Sequence, residues 1–201
     1  MKKFRIFLLV ATAACLTVGC NRPQKFTVQG TLKDIKFPKA DSVRLESELL
    51  AKPIFAPVED KAFALSGKVK KPTIGKVFAI GSYKRQAKFM ILEKGTITFK
   101  NGYAYGTPLN DSTAAFSERL RSMKNKYPNP EDRELLRQSV EDEFFAFVAR
   151  HKNDPCAVYA ILLAHKRLEN DKLLKLIQST SPEIQLDGDV HAIKASLTKG
   201  K

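Results

Sequence analysis

The chain has 201 residues, with 35 Lys+Arg against 21 Asp+Glu for a formal charge of +14, 43% hydrophobic residues and no Trp. That length suits one domain or two small ones, and the apolar fraction can bury a core, which argues against wholesale disorder. Three Cys and three His, none at metal-site spacing, exclude a zinc ribbon, a zinc finger and a CxxC redox centre; dinucleotide, P-loop, nucleophile-elbow and HExxH motifs are absent too, so neither a cofactor nor a metal is expected.

Residues 1–20 open on Lys2, Lys3 and Arg5, followed by an apolar run from Ile6 to Ala14. The run is too short for a mature transmembrane helix and reads as a signal peptide over residues 1–19. It ends in Leu16-Thr17-Val18-Gly19-Cys20, which resembles the lipobox of bacterial lipoproteins, with Thr17 where Leu is typical. The resemblance implies acylation of Cys20, with residues 20–25 as a lipidated tether; a plain secretory cleavage nearby is the alternative. With Cys20 acylated and Cys15 removed, Cys156 is the sole thiol and no intrachain disulfide can form. The tether lacks an acidic run after the Cys. The expected location is therefore the cell envelope, lipid-anchored and facing the periplasm from the outer membrane.

From Phe26 to about Tyr105 the apolar period is two: Phe26, Val28 and Leu32; Val43 and Leu45; Phe63, Leu65 and Val69; Val77 and Ala79; Phe89 and Ile91; Ile97 and Phe99. Short runs at this spacing, separated by turn-forming segments, predict an antiparallel β-sandwich or open barrel over residues 26–107. Residues 108–201 change to a helical period, making the fold class α+β with an all-α layer after the β domain. Phe116, Leu120, Met123 and Tyr127 line one face of a helix stopped at Pro128-Asn129-Pro130. Asn129 caps a second helix with Pro130 at its start and Leu136, Val140, Phe144, Phe147 and Val148 on its core face. Asp154-Pro155 starts a third, Cys156 to Lys166, apolar nearly all round and so central in the packing. Two more follow, Asp171 to Gln178 and Asp187 to Leu197.

The stretches Phe26 to Leu32, Ala62 to Val69, Ile91 to Thr98 and Tyr105-Gly106-Thr107-Pro108-Leu109-Asn110-Asp111 together resemble the domain of unknown function that opens many Bacteroidetes thiol:disulfide interchange lipoproteins. In that family a helical connector leads on to a thioredoxin-like domain bearing CxxC. This chain has no CxxC, so redox catalysis is not carried over; the resemblance implies the amino-terminal module and its anchor alone. Where the family has an Asp-Gly-x-Phe turn, this sequence has Asp60-Lys61-Ala62-Phe63 and lacks the turn glycine.

Cys156 opens an apolar run and reads as a small core residue rather than a reactive thiol, while His151, His165 and His191 read as helix-dipole partners or surface residues. Charge is more informative. Residues 21–107 hold 17 basic and 7 acidic side chains, whereas residues 108–201 hold 15 and 14. Lys68, Lys70, Lys71, Lys76, Lys84, Arg85 and Lys88 are the densest basic set and the candidate site for an anionic partner: anionic lipid, lipopolysaccharide or an acidic envelope protein. The bland alternative is that they protect strand edges from pairing. Nucleic acid is not an expected partner for an exported chain. The expectation is a non-catalytic, lipid-anchored envelope protein acting as a binding or scaffolding module. The alternative is an accessory subunit that positions a separately encoded thioredoxin-like enzyme.

Overall fold

A computed structural model describes residues 23–37, 39–81 and 87–199. The expected signal peptide, Cys20, Lys84 and Arg85 lie outside them. Eight strands occupy the first half: β1 Gln24–Thr31, β2 Ser42–Glu46, β3 Ile54–Pro57, β4 Ala62–Val69, β5 Thr73–Ile80, β6 Lys88–Leu92, β7 Gly95–Lys100 and β8 Tyr103–Tyr105. They form two four-stranded sheets, ordered β4-β1-β7-β8 and β3-β2-β5-β6. Neither sheet closes, so the α+β expectation holds with an open sandwich in place of a barrel. One pairing departs from the antiparallel pattern: β7 runs parallel to β1, with Phe26 beside Gly95 and Val28 beside Ile97. The strand before it, β6, belongs to the other sheet. The Glu93-Lys94 link therefore delivers β7 from across the sandwich, free of the direction a hairpin would impose.

The period-two pattern sorts side chains between two separate cores. Phe26, Val28, Leu65, Ile97 and Phe99 of one sheet meet Val43, Leu45, Val77, Met90 and Leu92 of the other inside the sandwich. On β5 and β6 the intervening residues Ile74 and Ile91 are also buried, but into a second core formed with the helices. Gly75 makes room inside the sandwich, because a Cβ there would lie 2.7 Å from Leu92 Cγ. The turn into β4 forms without a glycine. Asp60 and Lys61 take φ of 48° and 64°, the left-handed pair of a type I′ hairpin, closed by Glu59 N–H to Ala62 O at 3.0 Å.

The helices are α1 Pro108–Lys126, α2 Arg133–Arg150, α3 Pro155–Ala164, α4 Asn170–Gln178, α5 Pro182–Gln185 and α6 Gly188–Lys199, with a 3₁₀ turn, Pro130–Asp132, before α2. That turn moves the start of α2 three residues beyond the Pro130 start the sequence predicts. Asp154 caps α3 as expected, accepting the Cys156 N–H at 2.9 Å. α3 is buried on nearly every side. Against it Phe116 stacks on Phe147 at 4.1 Å between centroids and meets Phe144 edge-on at 5.3 Å. Among the described residues no helix is long and apolar enough to cross a membrane.

At the junction of β8 and α1, Tyr105 donates its hydroxyl proton to Glu118 at 2.7 Å. Desolvation first, and then Glu118, push this phenol up to about 12. The folded state thus holds the proton more tightly than the unfolded chain, whose tyrosines titrate near ~10. The resulting stability is complete below pH ~10 and is lost as pH rises from there through the folded value. Urea unfolding between neutral and strongly alkaline pH should show this decline, and Tyr105→Phe should flatten it. An unchanged alkaline slope in the variant would assign the decline to other groups.

Candidate functional site

Two of the stretches that carry the family resemblance meet in space. Glu93, just past β6 and 7% exposed, turns Oε1 onto the start of α1. There it accepts the Thr107 hydroxyl at 2.6 Å, the Leu109 N–H at 2.9 Å and the Asn110 N–H at 3.2 Å. Thr107 makes no side-chain cap of its own, so a carboxylate from the β6–β7 link satisfies the free amides and lies at the positive end of the helix dipole. Asn110, fully buried, returns the contact. Its Oδ1 accepts the Ile91 N–H at 2.9 Å and its Nδ2 donates to Ile91 O at 2.7 Å, covering the open edge of β6. Gly106 closes the approach at φ +95°, where a Cβ would lie 2.6 Å from Thr96 O. These residues join sheet to helix: Glu93 Oε1, the Thr107 hydroxyl and the Asn110 amide are all spent on that joint.

The basic residues singled out in the sequence separate into three groups. Lys71 pairs with Glu183, and Lys76 with Asp189 at 2.6 Å; both tie the β domain to the helical layer with the chain's own carboxylates. Lys88 is half-buried on β6, and desolvation, then the charge of Lys36, pull its ammonium down from the usual lysine range. Lys68 and Lys70 are exposed at the end of β4. Lys68 lies directly opposite Lys25 on β1, a cation absent from the sequence-derived set. None of Lys25, Lys68 and Lys70 has an acidic partner among the described residues. Like charges directly opposite on a ladder oppose pairing. The cross-strand register, invisible in the linear sequence, is what brings Lys25 to this group.

His151 is more than the dipole partner the sequence suggests. It caps the carboxyl end of α2, accepting no isolation there: Nδ1 bonds Asp154 Oδ2 at 2.9 Å and Nε2 bonds Ser112 Oγ of α1 at 2.9 Å. The ring lies 4.5 Å from that of Phe147. His151, Asp154 and Cys156 together bring ligand-type atoms within 4.8 Å of one another, a cluster that the linear spacing of the Cys and His residues does not show. The helical turn between α2 and α3 folds i+3 and i+5 back onto His151. Yet each donor already has a protein partner. Asp154 caps α3 through its other oxygen. Cys156 is fully buried with Sγ 3.6 Å from Leu109 O, and burial pushes its thiol far up, the wrong direction for a nucleophile or ligand. His165 and His191 are exposed.

The order Ser112, His151, Asp154 is also that of a nucleophile, a base and an orienting carboxylate. Among the described residues, neither Ser112 nor His151 lines any of the four main surface cavities. The three groups act as a clamp across α1, α2 and the start of α3. Removing either half with Ser112→Ala or His151→Ala is expected to cost about 1 kcal/mol, measured by urea unfolding; a loss below the measurement error for both would show that the clamp contributes nothing.

No family model, no curated protein and no solved structure matches this chain.

Proposed function

We propose that this protein is a non-catalytic, lipid-anchored module of the cell envelope, held through Cys20 on the periplasmic side of the outer membrane, whose β domain binds an anionic surface next to its anchor. The observation that carries the reading is the register of β1 and β4. Gln24 pairs with Val69 and Lys25 with Lys68, so the end of the sandwich that carries Lys25, Lys68 and Lys70 is the end from which the chain leads back to Cys20. Four residues reach at most ~14 Å. A tether this short lets these three cations come within a Debye length, about 8–10 Å, of anionic lipid or lipopolysaccharide head groups, where each contributes on the order of 1 kcal/mol. Such a surface would also offset the repulsion between Lys25 and Lys68. Lys71 and Lys76, spent on Glu183 and Asp189, play no part in this binding.

Cys20→Ala should release the protein from membranes or block its processing, and should remove the lipid mass from the intact protein; unchanged retention and mass would overturn acylation there. The full chain carrying Cys20→Ala should bind anionic vesicles more tightly than neutral ones, with binding weakening steeply as salt rises. Lys68→Gln with Lys70→Gln should reduce that binding. Equal binding to both vesicle types would leave these lysines as edge protection. The non-catalytic reading has its own test: turnover of an activated ester by the purified chain, abolished by Ser112→Ala, would overturn it. The alternative role, docking to a separately encoded thioredoxin-like enzyme, rests on the family resemblance alone.

A further inference from the structure

The helical half carries almost no excess charge, and three of its six arginines, Arg119, Arg137 and Arg150, are matched by carboxylates. Arg119 meets Glu143 at 2.7 Å, Arg137 meets Glu134 at 2.5 Å and Glu169 at 3.5 Å, and Lys172 meets Glu141. Arg121, Lys124 and Arg167 are different. All are exposed, none has an acidic partner among the described residues, and all border one cavity of about 540 Å³ between α1, α2 and α3. Its walls are Leu120, Leu136, Val140 and Leu163, three of them only half-buried, so the second core is left open to solvent here. At its inner side the Tyr159 hydroxyl and Ser117 Oγ bond each other at 2.9 Å, and both residues are almost wholly buried. The sequence places Leu136 and Val140 on the core face of α2; both are half-buried and line this opening, with Val140 also packed against the helical core.

An apolar hollow ringed by unmatched cations is complementary to a molecule with an apolar body and an anionic head. The volume falls in the range of sites for one small ligand, too little for the paired chains of a phospholipid. Cations at the mouth would hold a carboxylate or phosphate through charge-assisted hydrogen bonds, which are stronger than neutral ones, while the leucines and Val140 take up the chain. We propose that this cavity binds a single-chain anionic amphiphile, its head against Arg121, Lys124 and Arg167. The site lies in the helical layer and is independent of the basic end of the sandwich.

The test is calorimetric titration of the full chain carrying Cys20→Ala with dodecanoate below its micelle concentration, alongside dodecyl phosphate and uncharged dodecanol. Saturable dodecanoate binding is expected, about tenfold tighter than that of dodecanol and weakened about tenfold by Arg121→Gln, Lys124→Gln and Arg167→Gln combined. Because these side chains are exposed, the unfolding midpoint should not move; Arg167→Gln alone serves as a second variant and should weaken binding in the same sense. Lys68→Gln with Lys70→Gln should leave the titration unchanged, separating this site from the vesicle-binding surface. Tighter binding of dodecyl phosphate would support the site and assign a phosphate head; tighter binding of dodecanoate would support it and assign a carboxylate. Equal affinity for dodecanol, no effect of the cation substitutions, or binding of an acidic amphipathic peptide in preference to every single-chain amphiphile would overturn the proposal.

Discussion

Glu93→Ala is expected to destabilise the fold by about 3 kcal/mol or more. Three donors lose their acceptor at once: the Thr107 hydroxyl and the N–H groups of Leu109 and Asn110, which all converge on Oε1. Thr107 and Asn110 are buried, so water reaches the orphaned groups poorly and the desolvation cost stands. The start of α1 also loses the negative charge at its dipole. Glu93→Gln keeps an oxygen where Oε1 stands and gives up only the charge assistance, so a loss of about 1 kcal/mol is expected. Asn110→Ala should fall near the alanine variant, since it frees both polar groups of Ile91 and uncovers the edge of β6. Chemical denaturation of the three variants measures the order directly. Equal losses for Glu93→Gln and Glu93→Ala would show that the negative charge, and not the convergent acceptor or the side-chain volume, is what the junction requires.

That junction marks where the sequence stops being legible. The strands and helices are written locally: period-two runs such as Phe63, Leu65 and Val69, and the i, i+4 pair Phe116 and Leu120, are buried as their spacing predicts. The short strands β3 and β8 and the single-turn helix α5 are too brief to carry a period, and each is defined by its partner. β3 exists because Val43 and Leu45 pair with Ala56 and Ile54, and α5 because Ser181 caps it. The parallel contact of β1 with β7 depends on a sheet switch that no local pattern encodes. Glu93 and Asn110, 17 residues apart, read separately as an ordinary surface carboxylate and an ordinary helix residue. The cations divide in the same way. Lys71 and Lys76 are indistinguishable from Lys68 in sequence, yet Glu183 and Asp189 lie more than a hundred positions away, 112 and 113, so only the folded layer shows which charges are taken. The cavity between α1, α2 and α3 is likewise invisible beforehand, because Leu136 and Val140 have the spacing of core residues and the packing simply does not close over them.

Phe116→Ala is expected to cost about 3–5 kcal/mol, a large part of the ~5–15 kcal/mol that a domain of this kind has in total. Phe116 is fully buried and holds two aromatic partners, Phe147 stacked and Phe144 edge-on, so truncation removes its own transfer free energy and leaves both rings facing a void. The consequences should be uneven along the chain. The sandwich core contains no residue of the helical core, and β5 and β6 contribute to the latter mainly through Ile74 and Ile91. Loss of Phe116 therefore weakens the helical layer first, while Phe26, Leu65, Ile97 and their neighbours keep their packing. Hydrogen exchange should show amides of α1, α2 and α3 losing protection in Phe116→Ala while those of β1, β4 and β7 change much less. Polar coupling between the layers includes Glu93, Asn110 and the Lys71–Glu183 and Lys76–Asp189 pairs, so a double variant with Glu93→Ala should release the helices at lower denaturant than either change alone. A uniform fall in protection across strands and helices would show instead that the two cores unfold as one cooperative unit, with the sheet unable to stand once the outer faces of β5 and β6 are uncovered.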